Sequence, residues 1–160
     1  MASIHSILLN NLTSTDSLPP AQHFINGTWA SSSNLQAIDC VNPANEEIFA
    51  QIAAGNSIDV ENAVKAAYSA FNNPEWSDMP PNKRGRLLWK LAELIDANRD
   101  KLSTCEILDS GKTPFDTKKV ELPIVSEIFR YFAGWVTKID GDVLNLPGNN
   151  IGLNVRTPIG

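Results

Sequence analysis

The chain has 160 residues, of which 42% are hydrophobic and 19% are charged, and its formal net charge is −5. This length suits one domain that buries roughly two-thirds of its unfolded surface, and the composition excludes collagen-like, disordered and coiled-coil classes. No apolar run approaches the roughly 20 residues of a membrane helix, and the acidic balance excludes a surface for nucleic acid or anionic lipid.

The amino-terminal part of the chain carries only acidic charge. Residues 1–64 contain six Asp or Glu side chains and no Lys or Arg. A secretory signal needs a basic segment and a mitochondrial presequence is rich in Arg, so we expect neither and predict a cytoplasmic protein. Residues 1–21 are mostly Ser, Thr, Asn and Pro around a short apolar patch. We expect them to form a flexible leader.

Two hairpins are predicted after this leader. Asn26-Gly27 stands between apolar flanks, which is a strong hairpin turn signal. The β-prone runs 37–41 and 48–53 are separated by Asn42-Pro43-Ala44-Asn45, a sequence rich in turn-forming residues.

Apolar periodicity then changes from two to 3.6 residues, which predicts four helices. The first has Asp59 near its amino-terminal end and stops before Pro74, and the second opens after Pro80-Pro81. The third spans about Arg99 to Asp109, with Gly111 as the residue that ends it.

The fourth helix is predicted to be the longest. Thr113 is placed as its N-cap and Pro114 as its first residue, where a missing N–H costs nothing. Its apolar stripe runs to Ile139. Because Pro123 cannot donate to the carbonyl of Lys119, we predict a kink there. A last hairpin is predicted from the alternating segments 143–146 and 151–155.

Residue chemistry alone identifies no catalytic site. His5 and His23 are isolated in the sequence. Cys40 and Cys105 lie too far apart for a CxxC motif, so the two cysteines are interpreted as partly buried thiols. Gly111-Lys112-Thr113 resembles the end of a phosphate loop, but Glu106 occupies the position of the required glycine. No GxGxxG dinucleotide motif and no GxSxG nucleophile motif occur in the sequence.

Several segments occur together in a family-like order and spacing. They are Phe24-Ile25-Asn26-Gly27-Thr28-Trp29, Asn42-Pro43-Ala44, Asp59-Val60, Ala63-Val64, Ala66-Ala67, Ala70-Phe71, Trp76, Arg84-Gly85-Arg86-Leu87-Leu88, Lys90-Leu91-Ala92, Leu94-Ile95, Leu108-Asp109, Gly111-Lys112, Arg130-Tyr131-Phe132-Ala133-Gly134-Trp135, Lys138-Ile139 and Gly141. Over about residues 22–160 the sequence resembles the amino-terminal part of the NAD(P)-dependent aldehyde dehydrogenases.

This resemblance implies an α/β fold. Residues 22–140 would supply the amino-terminal hairpins and four helices of a Rossmann-like cofactor domain, and residues 141–160 a β-hairpin arm for homo-oligomerisation. The central parallel sheet of that domain would be largely missing from the chain. Since the helix stripes would then lack their sheet, we expect the isolated chain to be marginally stable or molten.

The resemblance also implies a function for the whole enzyme, namely oxidation of an aldehyde to a carboxylic acid with NAD or NADP. In the family, the nucleophilic cysteine, the general-base glutamate and the cofactor-contacting residues lie further along, so no catalytic or cofactor-binding residue is assigned here. The chain alone is expected to be an inactive scaffold and oligomer arm. The alternative is a naturally short, non-enzymatic protein that associates with full-length aldehyde dehydrogenase subunits.

One site is carried over by the resemblance. In some members of the family a monovalent cation is held by a carboxylate matching Asp109 and by backbone oxygen near Val41. Hard cations take oxygen ligands, so this donor set is chemically reasonable. The competing interpretation is that Asp109 only helps to end its helix beside Gly111.

Overall fold

The computed structural model describes residues 21–159, in which three two-stranded antiparallel sheets flank a group of helices. The predicted leader therefore lies almost wholly outside the described residues. The strands are β1 (His23–Ile25), β2 (Thr28–Ala30), β3 (Ala37–Val41), β4 (Ile48–Ala53), β5 (Asp142–Asn145) and β6 (Ile151–Asn154). The helices are α1 (Ser57–Phe71), α2 (Pro74–Ser77), α3 (Pro81–Ala97), α4 (Arg99–Ser110), a π-helical segment (Asp116–Glu121) and α5 (Leu122–Ala133).

Both predicted amino-terminal hairpins are confirmed. Asn26 and Gly27 have φ values of 53° and 75°, the left-handed pair that a type I′ turn between β1 and β2 requires. In the turn between β3 and β4, Asn42 is buried and its Oδ1 accepts the N–H of Ala44 at 2.9 Å. Both turns could be predicted because side-chain and backbone interactions within the turn residues are sufficient to form them.

The first three predicted helices are present, with one short addition. The side chain of Asn56 caps α1, and Asp59 completes a capping box with the N–H of Asn56. Gly111 ends α4 with a φ of 71°, as predicted. The short helix α2 was not predicted; the side chain of Asn73 caps it by accepting the N–H of Glu75 at 3.0 Å.

The prediction for the fourth helix is partly wrong. Its start is confirmed, because Thr113 Oγ1 accepts the N–H of Asp116 at 3.2 Å. Instead of a simple kink at Pro123, the chain forms the π-helical segment, in which the N–H of Leu122 bonds to the carbonyl of Thr117. This wider turn places the helix irregularity just before Pro123, which has no N–H to donate.

The predicted end of that helix at Ile139 is also wrong, because α5 ends at Ala133. Beyond Gly134 the backbone tightens, and the N–H of Trp135 donates to the carbonyl of Phe132 at 3.0 Å. The apolar pattern continues past the helix because Trp135 still approaches Tyr131, with ring centroids 6.1 Å apart.

Helices α3 and α5 pack closely against each other. A Cβ added at Gly85 in α3 would lie 2.9 Å from the carbonyl oxygen of Ala133, so this crossing requires glycine. The outer faces of the two helices remain uncovered within the described residues, and Leu87 and Phe132 are 52% and 56% exposed. No helix in this part of the chain is long and apolar enough to cross a membrane.

The last hairpin is confirmed. Strands β5 and β6 pair antiparallel, with Val143 opposite Leu153. Gly141 permits the close approach of the strands, since a Cβ there would clash with the carbonyl oxygen of Asn154. Val143, Ile151, Leu153 and Val155 lie largely exposed along it.

Candidate functional site

A groove of about 560 Å³ lies between the β3–β4 hairpin and the helices that follow it. Its walls are mainly apolar and come from β3, β4, α4, the π-helical segment and α5. The lining residues are Cys40, Phe49, Ala50, Gln51, Ile52, Leu102, Cys105, Glu106, Asp109, Glu121, Leu122 and Val125. Both cysteines are half-buried free thiols, consistent with the sequence interpretation.

Lys112 crosses the rim of this groove. Its Nζ lies 3.0 Å from Glu106 Oε1 and 2.9 Å from Glu121 Oε1. These glutamates, Glu121 first, raise the pKa of Lys112. In place of a phosphate site, Gly111-Lys112-Thr113 therefore forms a helix end followed by an ion-paired lysine that ties α4 to the π-helical segment.

Asp109 also lines the groove, near the carboxyl end of α4. No Lys or Arg within residues 21–159 pairs with its carboxylate. Val41 follows Cys40, which lies on the opposite wall, and a Cβ built on Gly111 would lie 3.0 Å from Pro43 Cγ. The two predicted cation ligands thus belong to elements that border the same groove.

The donor set can be compared with the needs of a cation. One carboxylate and backbone carbonyls are hard oxygen donors, and the carboxyl end of a helix carries partial negative charge. These features fit a monovalent ion. In the described part of the chain, no group of three or more His, Cys, Asp or Glu side chains could hold a metal ion.

A buried pair of hydroxyls joins α4 to the π-helical segment, two of the elements that border the groove. Ser103 Oγ in α4 lies 2.7 Å from Thr117 Oγ1 in the π-helical segment, and both residues are buried. Thr117 Oγ1 also donates to the carbonyl of Thr113 at 3.2 Å. The pair fixes the π-helical segment against α4. Sequence reasoning missed this pair because the contact depends on tertiary packing.

A second polar cluster surrounds Asp59 at the start of α1. Its carboxylate accepts the Oγ hydroxyl of Ser32 at 2.9 Å and the N–H groups of Ser33 and Asn56 at 3.0 and 3.1 Å. These bonds, the Asn56 N–H first, lower the pKa of Asp59. His23 Nε2 lies 3.8 Å away and has no hydrogen-bond partner among residues 21–159.

This cluster has the residue types of a serine triad but not its geometry. Ser32 contacts Asp59 directly, so no imidazole stands between the hydroxyl and the carboxylate, as a triad requires. The cluster instead joins the first hairpins to α1. The other histidine, His5, lies outside the described residues.

A third cluster joins α3 to α5. The guanidinium of Arg130 pairs with Asp96, and Arg99 Nη2 lies 2.5 Å from the same carboxylate. These contacts, that of Arg130 first, lower the pKa of Asp96 to about 2. Arg130 also lies 5.7 Å from the centroid of the Trp89 ring. Its role is to hold two helices together.

Comparison with known proteins decides the family. The family model described as the aldehyde dehydrogenase family matches residues 29–160. The chain belongs to this family. It is 41% identical over 138 residues to aldehyde dehydrogenase 1 of Tanacetum cinerariifolium, covering 86% of this chain and 28% of that protein. It is 38% identical over 140 residues to the mitochondrial aldehyde dehydrogenase of Rattus norvegicus, covering 87% and 27%.

Solved aldehyde dehydrogenases show the same arrangement. The aldehyde dehydrogenase KauB from Pseudomonas aeruginosa superposes with a TM-score of 0.85 at 29% identity, covering 91% of this chain and 30% of that one. A NAD+ complex of the aldehyde dehydrogenase from Bacillus cereus superposes with a TM-score of 0.81 at 33% identity, covering 84% and 28%. This aldehyde dehydrogenase chain spans less than a third of the length of these relatives.

Proposed function

We propose that this chain forms the amino-terminal part of an NAD(P)-dependent aldehyde dehydrogenase and acts there as scaffold and oligomer arm. The whole enzyme would oxidise an aldehyde to a carboxylic acid. Its nucleophile, general base and cofactor contacts would come from polypeptide outside the described residues. The observation that carries this proposal is the uncovered apolar surface of α3 and α5 in a chain that superposes on solved aldehyde dehydrogenases.

The uncovered surface has the properties of a packing interface. Ile124, Ile128 and Tyr131 on α5 are exposed, and with Pro123 and Glu127 they line a shallow hollow of about 350 Å³. Burying one large apolar side chain contributes about 1.5–3 kcal/mol, so leaving such a surface in water forgoes much stabilisation. This supports a role in which a sheet from the same enzyme covers α3 and α5.

We propose that the dinucleotide site of the whole enzyme is built mainly from polypeptide outside the described residues. Open α/β sheets bind dinucleotides at the carboxyl ends of parallel strands, whereas every sheet in residues 21–159 is an antiparallel hairpin. NAD or NADP, when bound to the whole enzyme, would accept the hydride from the substrate. We assign no step of that transfer to residues of this part of the chain.

Residues 141–160 are proposed to form the arm that pairs with other subunits. Support comes from the exposed apolar row Val143, Ile151, Leu153 and Val155, and from strand edges that have no further partner within the described residues. Unpaired apolar strands are prone to aggregation, so covering them in a homo-oligomer would stabilise the protein.

Two further features of the whole enzyme are proposed. Asp109 and the backbone oxygen of Val41 would hold a monovalent cation at the groove, supported by the unpaired carboxylate and the end of α4. A cytoplasmic location is proposed from the acidic, Arg-free amino-terminal part.

A chimera tests the proposed function. Residues 22–160 would replace the corresponding segment of the Pseudomonas aeruginosa aldehyde dehydrogenase, and reduction of the dinucleotide would be measured with an aldehyde that the parent oxidises. We expect activity well above that of the parent with this segment deleted. A chimera no more active than the deletion variant would contradict the proposal.

Two matched variants of the chimera test the interface. Ile128→Lys places a charge on the uncovered face of α5, whereas Leu35→Lys places the same charge on a loop residue that is 82% exposed. We expect Ile128→Lys to lower the yield of folded, active chimera and Leu35→Lys to leave it unchanged. Equal effects of the two changes would argue against a buried α5 face.

A further inference from the structure

We draw no further inference here: the strongest candidate, the apolar groove between the β3–β4 hairpin and helices α4 and α5 that Cys40 and Cys105 both line, carries nothing because nothing in the structure shows what covers it.

Discussion

The hydroxyl of Ser32 lies 2.9 Å from the carboxylate of Asp59, and this contact joins the loop after β2 to the first turn of α1. The two residues are 27 positions apart, and both are buried. Asp59 is therefore both a helix cap and a tertiary anchor.

Replacing Asp59 with Asn tests this anchor. The amide keeps the size of the side chain but removes the charge that three donors share, so we expect a lower melting temperature of the chimera by circular dichroism. Asp39→Asn is the matched control, because Asp39 is exposed and accepts only the Gln51 amide at 2.7 Å. An equal loss of stability in both variants would show that Asp59 is not a special anchor.

The Asp96–Arg130 pair predicts an acid-side loss of stability. Arg130 and then Arg99 depress the pKa of Asp96 from 3.8 to about 2 in the folded chain. A depressed carboxyl pKa stabilises the fold above the unfolded value, and this contribution is lost as pH falls from about 3.8 towards 2. In urea titrations of the chimera between pH 5 and 2 we expect Asp96→Asn to flatten this slope, with Asp140→Asn as control. An unchanged slope would contradict the assignment.

Gly85 predicts a steric limit where α3 crosses α5. In Gly85→Ala the new Cβ would lie 2.9 Å from the Ala133 carbonyl oxygen and 3.0 Å from Val136 Cγ2. Overpacking of this kind costs about 1–3 kcal/mol of unfolding free energy, measurable by denaturant titration of the chimera. Gly134→Ala, whose Cβ would lie 3.3 Å from the carbonyl oxygen of Tyr131, should cost less. The reverse order of stability would contradict the close crossing.

Because Ser103 and Thr117 contact each other, substitutions of the two residues should have coupled effects on the unfolding free energy. Thr117→Val leaves the buried Ser103 hydroxyl without this partner, which costs roughly 1–3 kcal/mol. Adding Ser103→Ala to Thr117→Val should then lower the unfolding free energy by less than Ser103→Ala does alone, because it removes the hydroxyl that lost its partner. A double-mutant cycle on unfolding free energies of the chimera measures this coupling. Strictly additive effects would show that the two hydroxyls do not interact.

If residues 141–160 pair with other subunits, charged substitutions in this arm should reduce the size of the oligomer. In the chimera, Val143→Lys combined with Leu153→Lys places two like charges on directly paired residues of β5 and β6. We expect a smaller particle by size-exclusion chromatography with light scattering, because a charged arm resists burial against another subunit. Lys138→Glu before the arm serves as a control. Retention of the parent mass in the double variant would contradict the role of the arm.

Local chemistry was sufficient to predict the turns and most helix ends. Asn26-Gly27 and Gly111 adopt the positive φ that their turn and cap require, and Thr113 caps as predicted. Features that depend on tertiary packing were missed. The periodicity around Pro123 could not distinguish a kink from a π-helical turn whose Thr117 is held by Ser103.

The candidate site shows the same division. The family resemblance placed Asp109 near Val41 at the end of β3. Residue chemistry alone did not place Cys40 and Cys105 around one groove, because that depends on how β3 packs near α4. From the sequence, Asp59 is predicted only to lie near the start of a helix. Its long-range partners Ser32 and Ser33 lie in a loop whose path periodicity does not reveal.

We propose that the apolar faces of α3 and α5 are covered by further polypeptide of an aldehyde dehydrogenase. Fluorescence of an apolar-surface dye during thermal unfolding of the purified 160-residue chain tests it most directly. We expect strong dye binding before heating and a broad, weakly cooperative transition. A sharp cooperative transition with no dye bound to the native chain would contradict it.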